Sequence, residues 1–222
     1  MPIFGALGDI HGDFAAARRV MERHDEVPFW LCVGDVGNDE GHYEPLPSPL
    51  YWIKGNNESF DAIAAGGFPR GLHYVPNAQL TTIDGVRIAG LGGTLAPTWF
   101  DTPAADLPHP PKRTAQATAQ ADKRRHFVRE EVEACRSFRD VDVFLTHEAP
   151  RPYRIGRIEA GKQPVNDVLA AMQPRLHLFG HHHRFTEQVC EGIRSVGLDL
   201  VSSSYLLIDR QTLEYDVRPS SA

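Results

Sequence analysis

Five short segments carry side chains able to bind metal ions: Gly8-Asp9-Ile10-His11-Gly12, Gly34-Asp35-Val36-Gly37-Asn38, Gly55-Asn56-Asn57-Glu58, Thr146-His147 and Gly180-His181-His182-His183. Carboxylate, amide and imidazole donors without a thiolate suit borderline divalent ions such as manganese, iron, zinc or nickel, rather than calcium or a structural zinc. Two such ions about 3.5–4 Å apart would clamp a phosphoryl group, lower the pKa of a bridging water and stabilise the charge that builds up during in-line attack. Hydrolysis then needs no protein nucleophile. Asp9 and His11 alternate along a segment read as extended, which would turn both to one side. His181 and His183 repeat that spacing, leaving His182 to face the other way.

The elements that must position these donors are short apolar runs, each ending just before a donor segment. Runs at 3–7, 29–33, 51–53, 141–145 and 176–179 read as buried strands, as do 86–89, 193–196 and 205–208. Helical patterns cover 14–24, 118–136 and 164–172, the last opening on Pro164 at a first-turn position. Strand, loop and helix in alternation predict a layered α/β domain. Ligands of open α/β sheets bind beyond the carboxyl ends of the strands, so all five segments can line one pocket. The stretch 95–121 breaks the rhythm with Pro97, Pro103, Pro108, Pro110 and Pro111, and reads as a lid or specificity insertion within one domain spanning 1–222.

Composition narrows the partners. With 222 residues and 41% hydrophobic content the chain can bury one sizeable core. Its 23 basic and 29 acidic side chains give a formal charge of -6, so nothing draws the whole molecule toward nucleic acid or an anionic membrane. A polyanionic substrate would have to be captured locally. Cys32, Cys135 and Cys190 are odd in number and widely spaced, which argues against a disulfide framework or zinc ribbon and fits a reducing cytoplasm. No apolar run approaches the ~18 residues that span a bilayer.

Taken in order, GDIHG, GDVGN, GNNE, TH and GHHH resemble the signature blocks of the calcineurin-like metallophosphoesterases, over residues 8 to 183. The resemblance implies a four-layer α/β/β/α sandwich of two packed mixed sheets, with the dinuclear site at the strand C-terminal ends. It implies Asp9, His11, Asp35 and His183 around one divalent ion and Asp35, Asn56, His147 and His181 around the other, with Asp35 bridging. Manganese is the first expectation for the pair, with iron, zinc or nickel as alternatives. The late strands, 193–217, would belong to the second sheet. YWIKGNNES, GLHYVPN and GVRIAGLGG are further similar to the RNA-lariat-debranching branch, although Asp9 stands where those enzymes have cysteine.

The activity so implied is hydrolysis of a phosphodiester, nucleotide or nucleic-acid-derived, by a metal-bridging hydroxide. One departure shapes it. Most of the family has histidine after the third-block asparagine, able to protonate the leaving oxygen, and here Asn57 stands there with Asn38 where its carboxylate partner is usual. An amide cannot act as a general acid near neutral pH, which disfavours poor alkyl leaving groups. Asn57 is expected to position substrate oxygens beside the catalytic Asp35. A protein or small-molecule phosphomonoesterase and a non-catalytic, metal-organised binding module are the competing readings.

Four further features have two readings each. Glu58 fits a helix opening, where an acid complements the dipole, better than catalysis. Lys123, Arg124, Arg125 and His126 lie on a predicted helix, either as a solvated face paired with Glu130 and Glu131 or as a phosphate track. Trp99 and Phe100 could stack a nucleobase or pack the lid onto the domain. His182 reads as a residue beside the ligands, or on the surface, rather than as a ligand.

Overall fold

Residues of alternating destination build the layers. In the first strand Phe4 and Ala6 enter one apolar cluster and Leu7 another, as the two-residue period of a strand with both faces buried requires. The computed structural model of the protein describes residues 2–38, 41–109 and 121–221. In chain order its elements begin β1 (Ile3–Leu7), α1 (Phe14–Glu22), β2 (Trp30–Cys32), β3 (Leu50–Trp52), α2 (Phe60–Ala65) and β4 (Leu72–Tyr74). There follow β5 (Leu80–Ile83), β6 (Val86–Leu91), β7 (Thr94–Leu95), β8 (His126–Phe127), α3 (Arg129–Arg136), β9 (Val143–Thr146), β10 (Arg154–Ile155) and β11 (Ile158–Glu159). The chain closes with α4 (Gln163–Met172), β12 (Leu176–Phe179), β13 (Thr186–Cys190), β14 (Ile193–Gly197), β15 (Ser204–Asp209) and β16 (Tyr215–Pro219).

Two six-stranded sheets result, ordered β16-β15-β1-β2-β3-β4 and β13-β14-β12-β9-β6-β5. In each, four parallel strands are flanked by antiparallel ones: β15 and β16 beside β1, and β13 and β5 at the two edges of the second sheet. Between the sheets lies the central cluster, with Phe4, Leu31, Val33, Ile53, Leu206 and Ile208 facing Ile88, Val143, Leu145, Leu176, Leu178 and Val196. Helix α1 covers the outer face of the first sheet, setting Phe14, Ala17, Val20 and Met21 on Leu7, Trp30 and Trp52, with Ala62 and Ile63 of α2 beside them. Val132 and Cys135 of α3 and Val165, Val168, Leu169 and Met172 of α4 pack on Ala89, Leu91 and Phe144 of the second sheet. The order of layers is therefore α/β/β/α, as the resemblance implied. Fully burying a side chain of this size contributes roughly 1.5–3 kcal/mol, so the three clusters supply most of the drive to fold.

Two expectations are corrected. The strands from 193 onward do not share one sheet: β14 lies in the second, but β15 pairs with β1, Ile3 against Asp209 through Leu7 against Tyr205. Leu206 and Ile208 fit the inner face of the first sheet, and the antiparallel return covers an edge of β1 that would otherwise be open. The helix predicted over 118–136 is also shorter, since α3 starts only at Arg129. Lys123–Arg125 is a single 3-10 turn whose start is capped by Asp122, accepting from the Arg124 N–H. His126 and Phe127 then pair with Thr94 and Leu95. Burial of Phe127 and Val128 ends the turn there, overriding the helical period that the charged residues show. Residues 110–120, the later part of the expected lid, and with them residues 118–120 of that expected helix, lie outside the described residues.

Candidate metal centre

The parallel strands β1, β2, β3, β9 and β12 all deliver their C-terminal ends to one rim, and the five donor segments follow directly. There the structure brings together two triads of donors, Asp9 with His11 and His183, and Asp35 with His147 and His181. Within each, the ligand atoms lie within 4.8 Å of one another. Asp35 Oδ2 stands 3.6 Å from His147 Nε2 of its own triad and 3.6 Å from His11 Nε2 of the other. Asn56 joins the second triad, its Oδ1 3.1 Å from His147 Nε2.

Backbone conformation aims these groups. His11, Asp35, His181 and His183 all have φ between 47° and 73°, the left-handed region that non-glycine residues enter at a cost of roughly 1–3 kcal/mol each. Asp9-x-His11 and His181-x-His183 are thus tight turns rather than the extended segments expected. The reason is packing between loops: the N–H groups of Ile10 and His11 both donate to the Asp35 carbonyl, at 3.0 and 2.7 Å. The His181 N–H donates to both oxygens of Asp9. At Gly55 a Cβ would lie 2.0 Å from Asp35 Oδ1, so the third loop reaches the second only without a side chain there.

The electrostatics suit a cation. Asp9 and Asp35 are each 1% exposed, and His147 is fully buried. Burial works against ionising Asp35, but the imidazoles of His147 and His11 and the Asn57 N–H hold its carboxyl below the usual carboxylate range. His147 shows the mirror image, burial opposing its charge while Asp35 and Asp9 raise its pKa above the ordinary value. The hydrogen bond to Asp9 likewise raises that of His183, whereas burial and His147 push His181 down to about 3. The Val33 carbonyl accepts from His147 Nδ1 at 2.9 Å, which leaves the Nε2 lone pair, on the side of Asp35, available to a cation. Nε2 atoms of His11 and His183 meet at 2.9 Å, with Asp9 Oδ2 3.1 Å from His183. So many converging lone pairs require either shared protons or cations among them, and the donor set fits two divalent ions.

The other singled-out residues fall as follows. Asn57 donates from its backbone N–H to Asp35 Oδ1 at 2.8 Å and from its side-chain Nδ2 to Oδ2 at 2.9 Å, so it orients the Asp35 carboxylate. Asn38 Oδ1 accepts from the His42 N–H within its own loop. His182 stacks on Tyr153 with ring centroids 4.5 Å apart, and burial brings its pKa to about 4. Phe100 packs beside the core under α3 and edge-on to Phe127, which favours packing over base stacking for that ring.

Sequence reasoning missed what Glu58 does. Ser59, not Glu58, caps α2, while the buried Glu58 carboxylate accepts from the N–H groups of Val36 and Gly37 and from the Tyr43 hydroxyl, at 2.8, 3.2 and 2.8 Å. It ties the second donor loop to the third. Burial, with Asp35 nearby, raises its pKa to about 7. Lys54 and Glu148 were missed too, buried charges flanking Gly55-Asn56 and His147; the Glu148 Oε1 accepts from the Leu95 N–H at 3.2 Å. The only sequence signal for any of the three was a charge lying directly beside a donor segment.

A two-sheet sandwich with paired carboxylate–imidazole triads at the carboxyl rim is an arrangement able to hold two metal ions. The model of the family described as calcineurin-like phosphoesterase matches residues 3–185, and the chain belongs to that family. An uncharacterized protein of Haemophilus influenzae is 26% identical over 194 residues, covering 79% of this chain and 81% of its own. Among solved structures, TT1561 of Thermus thermophilus superposes with a TM-score of 0.64 at 15% identity, covering 99% of each chain. A dimetal phosphatase from Danio rerio does so with a TM-score of 0.53 at 12% identity, again over 99% of both. At such identities these two structures speak for the fold alone. Among the described residues no helix is long and apolar enough to cross a membrane.

Proposed function

We propose that this chain is a metal-dependent phosphodiesterase acting on a nucleotide or nucleic-acid-derived ester. Asp9, His11, Asp35 and His183 hold one divalent ion and Asp35, Asn56, His147 and His181 the other, manganese being the first candidate. The observation that carries this reading is the place of Asp35 Oδ2, equidistant at 3.6 Å from an imidazole of each triad. When bound, such a pair of ions supplies Lewis acidity toward phosphoryl oxygens and a lowered pKa for water.

The chain's own residues decide the ester class. Asn57 spends its amide N–H on Asp35 and has no proton to give a leaving oxygen at neutral pH. A diester also brings less negative charge than a monoester to a rim lined by Asp9 and Asp35. Access is shaped by the segment 95–121, whose two flanks are clamped together as the parallel pair β7 and β8. It leaves that stem beside Glu148, the residue after His147. The domain is single, and the three buried thiols fit a reducing cytoplasm.

The test is hydrolysis of an aryl phosphodiester and its matched monoester with manganese, nickel, iron and zinc in turn. Diester turnover should exceed monoester turnover, and Asp35→Asn should lose at least about 10³-fold, comparable to removing a principal electrostatic stabiliser. A marked preference for alkyl monoesters would overturn the diesterase assignment.

A further inference from the structure

The basic run 123–126 divides by structure. Arg124 turns outward into Asp122 and Asp61, with ion pairs at 2.5 and 2.6 Å. Arg125 has no such partner: among the described residues no carboxylate pairs with it, and its Nε is buried without a hydrogen bond. Burial works against its charge, and the carboxylates that favour that charge are Asp35 and then Asp122. What ties this turn to the donor loops is backbone geometry, through Lys54.

Its backbone is fixed with unusual care. Lys54 Nζ donates to the carbonyls on either side, Arg124 O at 2.9 Å and His126 O at 3.0 Å. Lys54 is itself the residue before Gly55-Asn56-Asn57, so the turn that carries Arg125 is hydrogen-bonded to the base of the third donor loop. On the other flank Gly93, at φ +90°, lets the Arg125 carbonyl approach so closely that a Cβ would stand 2.5 Å from it.

We propose that Arg125 binds the substrate's phosphate, its planar fork donating to non-bridging phosphoryl oxygens beside the paired triads. This rests on the phosphoesterase reading above and adds to it the group that captures the anion. A half-buried guanidinium with an unspent N–H is suited to that, because a fork of N–H groups matches two phosphate oxygens where an ammonium offers a point charge. It also accounts for anion capture by a molecule whose net charge is -6.

The experiment uses inorganic phosphate as the probe. Manganese-loaded wild-type protein, Arg125→Lys and Arg125→Ala are titrated with phosphate by calorimetry, with metal content and melting temperature measured on each. Arg125→Ala should weaken phosphate about 10- to 100-fold and Arg125→Lys less, at unchanged metal content and melting temperature. Equal phosphate affinity in Arg125→Ala, or a loss of metal alongside it, overturns the assignment and leaves the phosphoesterase reading standing. Phosphate binding that depends on Arg125 in a protein turning over no diester keeps the clamp and removes the diesterase.

Discussion

At the scale of single residues the site is a balance of backbone strain against convergence of charge. Four of the proposed ligands occupy the left-handed region, and a conformation of that kind persists only where the surroundings over-determine it. Here the surroundings are hydrogen bonds between loops, from Ile10, His11 and His181 N–H groups to Asp35 and Asp9. Asn57 belongs to the same scaffold. Replacing it by histidine would put a titratable proton where an amide now holds Asp35, so Asn57→His should raise hydrolysis of an alkyl monoester by up to about 10²–10⁴-fold. Steady-state kinetics at matched metal content checks this, and no gain would mean that the leaving oxygen takes its proton elsewhere. The donor residues were legible in the sequence because their types are rare in such order. Their turns were not, since a two-residue spacing fits an extended segment and a tight turn alike, and only contact with another loop decides between them.

At the scale of elements, the strand that presents His147 is held from behind by a buried polar chain. His177 of β12 is fully buried, its Nε2 2.9 Å from the Thr146 hydroxyl of β9 and its Nδ1 3.1 Å from the Ser195 hydroxyl of β14. Burial drives its pKa down from 6.5 to about 3. Between those values the unfolded chain takes up a proton that the folded chain refuses. This residue's contribution to stability therefore shrinks as pH falls below about 6.5, and the loss levels off near 3. His177→Gln should cost about 1–2 kcal/mol at pH 7 through its two hydrogen bonds, yet show a shallower fall toward pH 4.5. Urea unfolding of chelator-treated wild-type and variant proteins at both pH values tests it, and parallel slopes would refute the assignment. Short strands such as Leu176–Phe179 were read correctly from apolar runs bounded by turns. The helix over 118–136 was overextended because the charged period continues through residues that the fold needs as a turn and a strand.

Over the whole molecule, the site is a seam between two sheets rather than a feature of either. Asp9, Asp35 and Asn56 come from the first and His147, His181 and His183 from the second, so the proposed ions would brace the sandwich. Each ion held at about 100 times its Kd would add roughly 2.7 kcal/mol. Removing both by chelation should lower the melting temperature on the order of 10 °C for a chain of this size. Scanning calorimetry before and after chelation, with manganese restored as the control, measures it; an unchanged transition would argue that no ion spans the seam. Strand and helix alternation predicted a layered α/β domain, and the order of its four layers came from the resemblance of the donor blocks. The sheet assignment of β15 could not, because partners nearly a chain length apart leave no local mark.

That pairing has a consequence for biosynthesis. The strand that launches Asp9 is made on the ribosome long before its outer neighbour, Ser204–Asp209. Val201 N–H also reaches back to the Asp9 carbonyl. A nascent chain must therefore carry one edge of that strand bare until Ser204–Asp209 has been added, so the loop that holds Asp9 is framed late in the synthesis of the sandwich.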